Sequence, residues 1–510
     1  ALAENLLING VETQRAFNYL SAISSGSLFE SGDIGAVARL NYSFADKYIL
    51  ESTLRYETTV LFAPGERSGY FPAVALGWVA SEENFFKNKA SFIDFLKFRL
   101  SAGLTGYSSV GAYEYNLSFA PSGSYLFGGS NAAPGLGVSG KTDVVSSGVS
   151  WEKSQMHNFG VDLKLLRSRL SITTDIYFTK QYDILDKRTV EFPQSSGITD
   201  LPSENLGRLN AWGYDMSIGY NGQINQDLRW NISGNFGFAT NRILERPTQW
   251  APNDYRYPIG QSTSAAGREE GYFTEGIIRT PAQLEAINAQ WINQWGHAYT
   301  IEGKPAQVGS LFFQDIGRPG DPAKGEPETV FEPDGDIHQV HDKTYLERVN
   351  DRLVWKNLLP TNMNIGLSWK NFRLSTLWGM SWGIRNQVVD KLARTVVTET
   401  DNSPAFWSDF WTPDNTNAAY PDPRFGTYNQ WVSSFWMRDV YQLRLKNLNI
   451  SYALPSKFAA DRRLPDMRIF ITAVNLWSPI TTFKYKEDAI SRYNTYPLLR
   501  SFNLGLNIKV

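Results

Sequence analysis

The chain is 510 residues long with a formal net charge of −2, and no basic stripe runs along it, so nothing points to a nucleic-acid partner. It has no cysteine, which excludes disulfide staples and thiolate metal sites, and no apolar run of about 18 residues, which excludes a transmembrane helix. Aromatic residues reach 14%, with 16 Trp and 25 Tyr, a surplus suited to places where one end of a ring is apolar and the other wet.

The opening ALAENLLING has neither a basic start nor a long apolar core and does not read as a signal peptide. A leader already removed, or a gene product that begins upstream, is the expectation. Residues 1–35 are expected to form an outer loop or a partial strand, and 36–510 a single β-rich unit. Period-two alternation predicts strands near 36–45, 47–60, 69–80, 95–106, 155–166, 168–181, 209–222, 227–243, 362–370, 371–385, 438–455, 466–478 and 500–510. In the first, Ala38, Leu40, Tyr42 and Phe44 alternate with Arg39, Asn41 and Ser43. In the fourth, Phe98, Leu100, Ala102 and Leu104 alternate with Arg99, Ser101, Gly103 and Thr105.

These strands are long, roughly 10–14 residues, where strands of globular proteins average about 5–6 and about 9–11 tilted residues cross a bilayer core. The face opposite the apolar one carries Gly, Ser, Asn and Thr beside Arg and Asp, as a wet lumen requires. The connections alternate in length. Tight links fall at Asp46, 166–168, 222–226 and 370–371, whereas 107–154, 182–208, 244–361, 386–437 and 479–499 are long. Two links of about a dozen residues, after Ala80 and Leu454, are the longest of the short set. Short turns on one rim and long loops on the other are the layout of outer-membrane barrels, with the short turns in the periplasm. A secreted sandwich or propeller would instead need short, evenly spaced strands and a large apolar face meeting another sheet. In RDVYQLRLKNLNISYALP (438–455) the apolar sets Tyr441, Leu443, Leu445 and Leu448, Ile450, Tyr452, Leu454 differ in phase by one. A β-bulge near Lys446 and Asn447 is therefore predicted, keeping both sets on one face.

Several segments, in order, resemble the SusC-like branch of TonB-dependent outer-membrane transporters. They are ARLNYSFADKYILESTLRYE, GYFPAVALGWVASEENFF, LKFRLSAGLTG, WEKSQMHNFGVDLKLLRSRLSITTDIYFTKQYDIL, SSGITDLPSENLGRLNAWGYDMSIGY, FWTPDN, RDVYQLRLKNLNISYALP, FITAVNLW and YPLLRSFNLGLNIKV. The resemblance runs from about Gly35 to Val510. It implies an antiparallel transmembrane β-barrel segment: about 13–14 strands of a barrel of about 22, without the plug and TonB-contacting box that the family folds inside it. An incomplete sheet would leave two open edges in lipid. The missing strands are therefore expected in the N-terminal barrel and plug portion of the same protein, on a separate chain or upstream; self-closure at about 14 strands is the alternative. The family implies import of oligosaccharides or oligopeptides with a SusD-like surface lipoprotein as lid, driven by TonB through the plug in a Bacteroidetes-type outer membrane. Cargo would pass lumen residues such as Arg99, Asp162, Asp175 and Asp215. The chain ends in Val510, where the family often has an aromatic residue. A passive channel, or a scaffold for surface proteins built on such a barrel, is the rival function.

No catalytic constellation, phosphate-binding loop or zinc spacing occurs, so no enzyme, cofactor or metal is expected. The adjacent Glu82 and Glu83 fall on a short link and are expected to be solvated. AFWSDFWTPDN and NQWVSSFWMRD gather Trp407, Trp411, Trp431 and Trp436 with several acids and amides in one outer loop. Trp407, Asp409, Trp411 and Trp431 are the candidate cargo contacts, since rings stack on sugar or peptide faces and acids take their donors; Trp436 is expected at the membrane girdle. TPAQLEAINAQWINQW (280–295) predicts an amphipathic helix capped by Thr280 with Gln283, burying Leu284, Ile287, Trp291 and Trp295. EPDGDIHQVHD (332–342) keeps Asp334, Gly335 and Asp336 of the family's calcium-type loop but offers too few oxygen ligands, and is expected to be an acidic hydrogen-bonded turn, with His338 and His341 alongside.

Overall fold

The computed structural model describes residues 7–8, 11–12, 32–89, 92–111, 115, 119–126, 134–140, 148–188, 203–248, 257–263, 270–319, 331–339, 344–345, 362–387, 405–424, 428–455, 465–481 and 499–509. Thirteen long strands form one antiparallel sheet. They are β1 (Asp33–Phe44), β2 (Tyr48–Thr59), β3 (Ser68–Val79), β4 (Ile93–Tyr107), β5 (Glu152–Leu165), β6 (Leu170–Lys187), β7 (Ser203–Gln223), β8 (Leu228–Glu245), β9 (Asn362–Trp369), β10 (Phe372–Gln387), β11 (Met437–Ala453), β12 (Asp466–Thr481) and β13 (Ser501–Lys509). All thirteen strands read from the alternation are present. Each pairs only with its neighbours in sequence, so β1 and β13 are the two edges. Closure with a strand from residues 1–24 is not seen among the described residues: Leu7–Ile8 pairs only with Val11–Glu12.

The register sorts the side chains onto two faces. One row crosses eight strands as Tyr42, Leu50, Leu76, Leu100, Phe159, Ile176, Tyr214 and Phe238. The row beside it, shifted by one residue, reads Ser43, Ile49, Gly77, Arg99, Gly160, Asp175, Asp215 and Gly237. Apolar side chains thus crowd a face on which Ile34, Leu40, Leu100, Ile176 and Leu504 remain exposed. No second protein layer covers it among the described residues.

Ring positions set the height of that apolar band. Tyr48 and Tyr56 on β2, Tyr70 and Trp78 on β3, and Trp212 and Tyr220 on β7 are each eight residues apart on this face. Eight residues of a strand tilted by about 40° rise roughly 20 Å, close to the ~25 Å apolar band between the aromatic girdles of a membrane barrel. Rings pair along each girdle: Tyr56 with Tyr70 at 5.0 Å and Tyr220 with Trp230 at 5.1 Å.

The short rim is built by left-handed turns. Ala45 and Asp46 have φ of 53° and 56°, the two positive values a tight hairpin of matching twist needs. Leu166, Arg167 and Ser168 are also left-handed, as is Lys370. The link after β3 holds a short helix, α1 (Asn84–Lys89). Of the two carboxylates expected to be solvated, Glu82 remains so, while Glu83 is held by neighbouring side chains. Glu83 accepts from Tyr48 Oη (2.6 Å), Lys47 Nζ (3.0 Å) and Trp78 Nε1 (3.3 Å), while Glu82 pairs with Lys87 Nζ at 2.6 Å. The Tyr48 hydroxyl foremost, and then Lys47, holds the Glu83 carboxyl below its usual range.

The bulge falls where the phase slip places it. Leu377 pairs with Asn447 and the next residue, Trp378, with Leu445, which leaves Lys446 as the extra residue of β11. Lys446 lies across Gly379, where a Cβ would come within 2.1 Å of its Cε.

The described parts of the long connections include regular structure. Phe119–Leu126 and Pro134–Gly140 form a hairpin within 107–154. Parts of 244–361 and 386–437 pack together into one body around Ile277, Ile278, Tyr299, Ile301, Leu311, Phe313 and Ile337. Helix α2 (Pro281–Trp295) covers it with Ile287 and Trp291, and Leu284 and Trp295 pack at its edge. Thr280 Oγ1 accepts from Gln283 N (3.2 Å), and Gln283 Oε1 accepts from Arg279 N (2.8 Å), one residue earlier than a standard capping box. Gly296 ends the helix at φ 81°.

Candidate functional site

The polar face centres on Arg99, at mid-height of β4. Its Nε and Nη2 donate to Asp162 (2.9 and 3.1 Å), and its Nη1 and Nη2 donate to Asp175 (2.8 and 2.9 Å). Asn158 Nδ2 adds a bond to Asp175 at 2.8 Å. One planar fork thus grips two carboxylates from adjacent strands, a geometry available to Arg and not to Lys. The fork lies flat because the residue beneath it is Gly160: a Cβ there would sit 2.6 Å from Arg99 Cζ and 2.6 Å from Asp175 Oδ1. Asp215 is the register partner of Asp175 on β7 and lies over Gly237. Like charges placed opposite each other repel. Arg99 offsets Asp175, while Asp215 has no hydrogen bond or ion pair among the described residues. Lys97, the register partner of Asp162, and Lys164, two residues beyond Asp162, share this face, so the wall patch sets three cations among three carboxylates, with donors and acceptors but no nucleophile–base pair.

The outer-loop body forms the second part of the site. Tyr272 N donates to Val432 O (2.9 Å), Ser434 N to Tyr272 O (2.8 Å), and Thr274 N to Ser434 Oγ (2.8 Å). Asn429 Oδ1 accepts from Leu311 N, and Gly309 O from Asp422 N, each at 2.8 Å. Two sequence-distant loops are thereby locked to each other. Of the residues expected to meet cargo, Trp407, Trp411 and Trp431 are buried within this body. Trp411 Nε1 donates to Arg279 O (3.0 Å), Trp431 stacks on Tyr272 at 4.6 Å, and Trp407 packs on Trp436 at 5.8 Å. Asp409 alone of the four stays exposed, accepting from Asn415 Nδ2 (3.2 Å) and Ala419 N (3.3 Å). Trp436 is not at the girdle: it is fully buried, donating to Asn429 O at 3.0 Å. Ring-rich composition could not separate a binding face from a loop core, because both need large apolar area.

In the acidic turn, Gly335 at φ 91° donates its N–H to Asp315 Oδ2 (2.6 Å), Asp336 N donates to Asp334 Oδ1 (3.1 Å), and His338 Nε2 lies 3.4 Å from Asp334. His341 is outside the described residues. Among the described residues no group of three His, Asp or Glu is gathered as a metal site.

No family model matches the chain. It is 26% identical over 527 aligned residues to TonB-dependent receptor P3 of Formosa agariphila, covering 99% of this chain and 47% of that one. It is 24% identical to TonB-dependent receptor SusC of Bacteroides thetaiotaomicron, over 92% of this chain and 43% of the relative. The fold superposes on the RagAB peptide transporter with a TM-score of 0.65 at 21% identity, over 93% of this chain and 47% of that chain. The chain resembles the SusC-like TonB-dependent receptors over nearly its whole length. It spans less than half the length of the curated relatives it matches. In this SusC-like segment the row through Arg99 and Asp215 lies on the polar face of the sheet, and the packed loops stand at the rim of the long connections. The eight-residue spacing of rings is a signal that the sequence carries and that could have placed the girdles, whereas the glycine beneath Arg99 is found only from the register.

Proposed function

We propose that this chain forms the C-terminal wall and outer loops of an importer that carries oligosaccharides or oligopeptides across the outer membrane, with no bond-making chemistry of its own. The observation that carries this reading is the two-faced sheet, a band of exposed apolar side chains outside and the Arg99–Asp162–Asp175–Asp215 patch inside. The strands that complete edges β1 and β13, the plug and its contact with TonB belong to the N-terminal portion of the protein. A SusD-like surface lipoprotein closes over the outer-loop body. Asp409 meets cargo there, and Trp407, Trp411 and Trp431 hold the loop that presents it. Within the lumen, Asp215 takes passing ammonium, hydroxyl or amide donors.

The similarity to SusC-like receptors, and the peptide transport that the RagAB structure is named for, support this reading. Its test is uptake by cells carrying the receptor gene or lacking it, supplied with fluorescent oligosaccharides or oligopeptides. Loss of accumulation of one class without the gene, restored by the gene and abolished by collapsing the proton gradient, is expected. Uptake that persists after the gradient is collapsed would identify a passive channel instead. Co-purification of large surface proteins in place of a lipoprotein lid would identify a scaffold.

A further inference from the structure

Lys180, Asn210 and Arg242 lie side by side on β6, β7 and β8, each the register partner of the next. They point to the apolar face, since each is an odd number of residues from the inward Asp175, Asp215 and Gly237 with no bulge between. The row just below them toward the membrane centre is Phe178, Trp212 and Thr240, and Trp212 belongs to the girdle nearer the long loops. One step of two residues places the cations about 5 Å beyond the ring level, where headgroups begin.

The charge balance of this rim is uneven. Asp183 is held by Lys153 (2.8 Å), Asp186 by Arg246 (2.9 Å), Glu204 by Arg188 (3.1 Å) and Glu245 by Arg208 (3.1 Å). Lys180 and Arg242 are exposed and have no ion pair or hydrogen bond among the described residues. Arg242 instead lies against Gly260, its Nη2 3.4 Å from where a Cβ would stand. Two unpaired cations just outside an aromatic girdle, on the membrane side, lack only an anion at headgroup depth.

We propose that Lys180 and Arg242, with the Asn210 amide between them, bind the phosphate groups of an outer-leaflet lipid. Their strands are about 10 Å apart, within reach of two long side chains converging on one phosphate or holding two. Lys supplies a compact cation and Arg a fork that matches phosphate oxygens. A soluble anion is not the occupant, because the side chains leave the face that meets lipid and not the lumen. The proposal rests on that face being in the membrane.

The test uses the complete receptor, purified in mild detergent and exchanged into nanodiscs containing diphosphorylated lipid A or its dephosphorylated form, with lipid retained per protein read by native mass spectrometry. At low salt the phosphorylated lipid is retained preferentially, and the preference fades as salt rises. Each cation removed lowers retention about fivefold, so Lys180→Gln with Arg242→Gln lowers it roughly 25-fold. Lys180→Arg keeps the preference, which separates charge from fold. Equal retention of both lipids by the unaltered receptor, unchanged retention by the double variant, or displacement by equimolar inorganic phosphate would overturn the proposal. A protein that stays soluble without detergent would overturn the membrane placement itself, a different outcome from indifferent lipid binding.

Discussion

Met216 and Ser217 are adjacent on β7, midway between the girdle rings Trp212 and Tyr220, and point to opposite faces. Met216 shares the apolar row of Phe236, whereas Ser217 lies beside Thr173 and Asn235 on the polar side. Arginine at the lipid face of a barrel costs about 2–4 kcal/mol at the midplane and falls toward zero at the interface. On the lumen face the charge stays wet, and Asp215 two residues away is free to pair with it. Met216→Arg should therefore lower unfolding free energy by about 2–4 kcal/mol, at least thirtyfold in the folded-to-unfolded ratio, and Ser217→Arg by under about 1 kcal/mol. Urea titration of the complete receptor in lipid vesicles, followed by tryptophan fluorescence, measures both. Equal losses, or a larger loss for Ser217→Arg, would refute the assignment of lipid to one face and water to the other.

Gly160→Val removes the space under the Arg99 guanidinium and should destabilise by about 2–4 kcal/mol, as charge-assisted bonds to two carboxylates loosen. Added to Arg99→Ala it should cost less than in the unaltered receptor, because the clash with Arg99 is gone and only that with Asp175 Oδ1 remains; the double-mutant cycle is the check. The Glu83 carboxyl titrates below its usual range when folded, so it stabilises the short rim above the unfolded value of about 4.3, and that contribution is lost as pH falls through the lower folded value. Melting of the unaltered receptor and Glu83→Gln should differ at neutral pH and converge in acid. Trp436→Ala, at a fully buried ring, should cost the loop body about 3–5 kcal/mol and expose 405–436 to protease while heat-modified migration of the barrel stays intact.

Strands were legible because lipid outside and water inside impose opposite demands on alternate residues, with nothing to blur them. The bulge at Lys446 was legible for the same reason: a one-residue slip that put Leu448 and Ile450 into water would be costly. The ion cluster was readable only as a set of inward charges. Which of them pair depends on stagger between strands, and it took the register to set Arg99 beside Asp162 and Asp175. The fate of the tryptophans was not readable. Segments 270–319 and 405–436 share a core through contacts far apart in sequence, and no local pattern records which loop meets which.

A ribbon whose every strand touches only the one before and the one after carries its own order of assembly. Joining the ends of a short link costs little entropy, and the cost rises with the length of chain between them. Within each hairpin closed by a short link, the second strand finds its template within a few residues, and the long loops join one hairpin to the next. The seal between Thr274 and Ser434, 160 residues apart, closes at the least entropic cost once the paired strands have drawn the feet of its loops together. The wall therefore forms early and the roof over it late, and damage to the roof should leave a wall that has already been built.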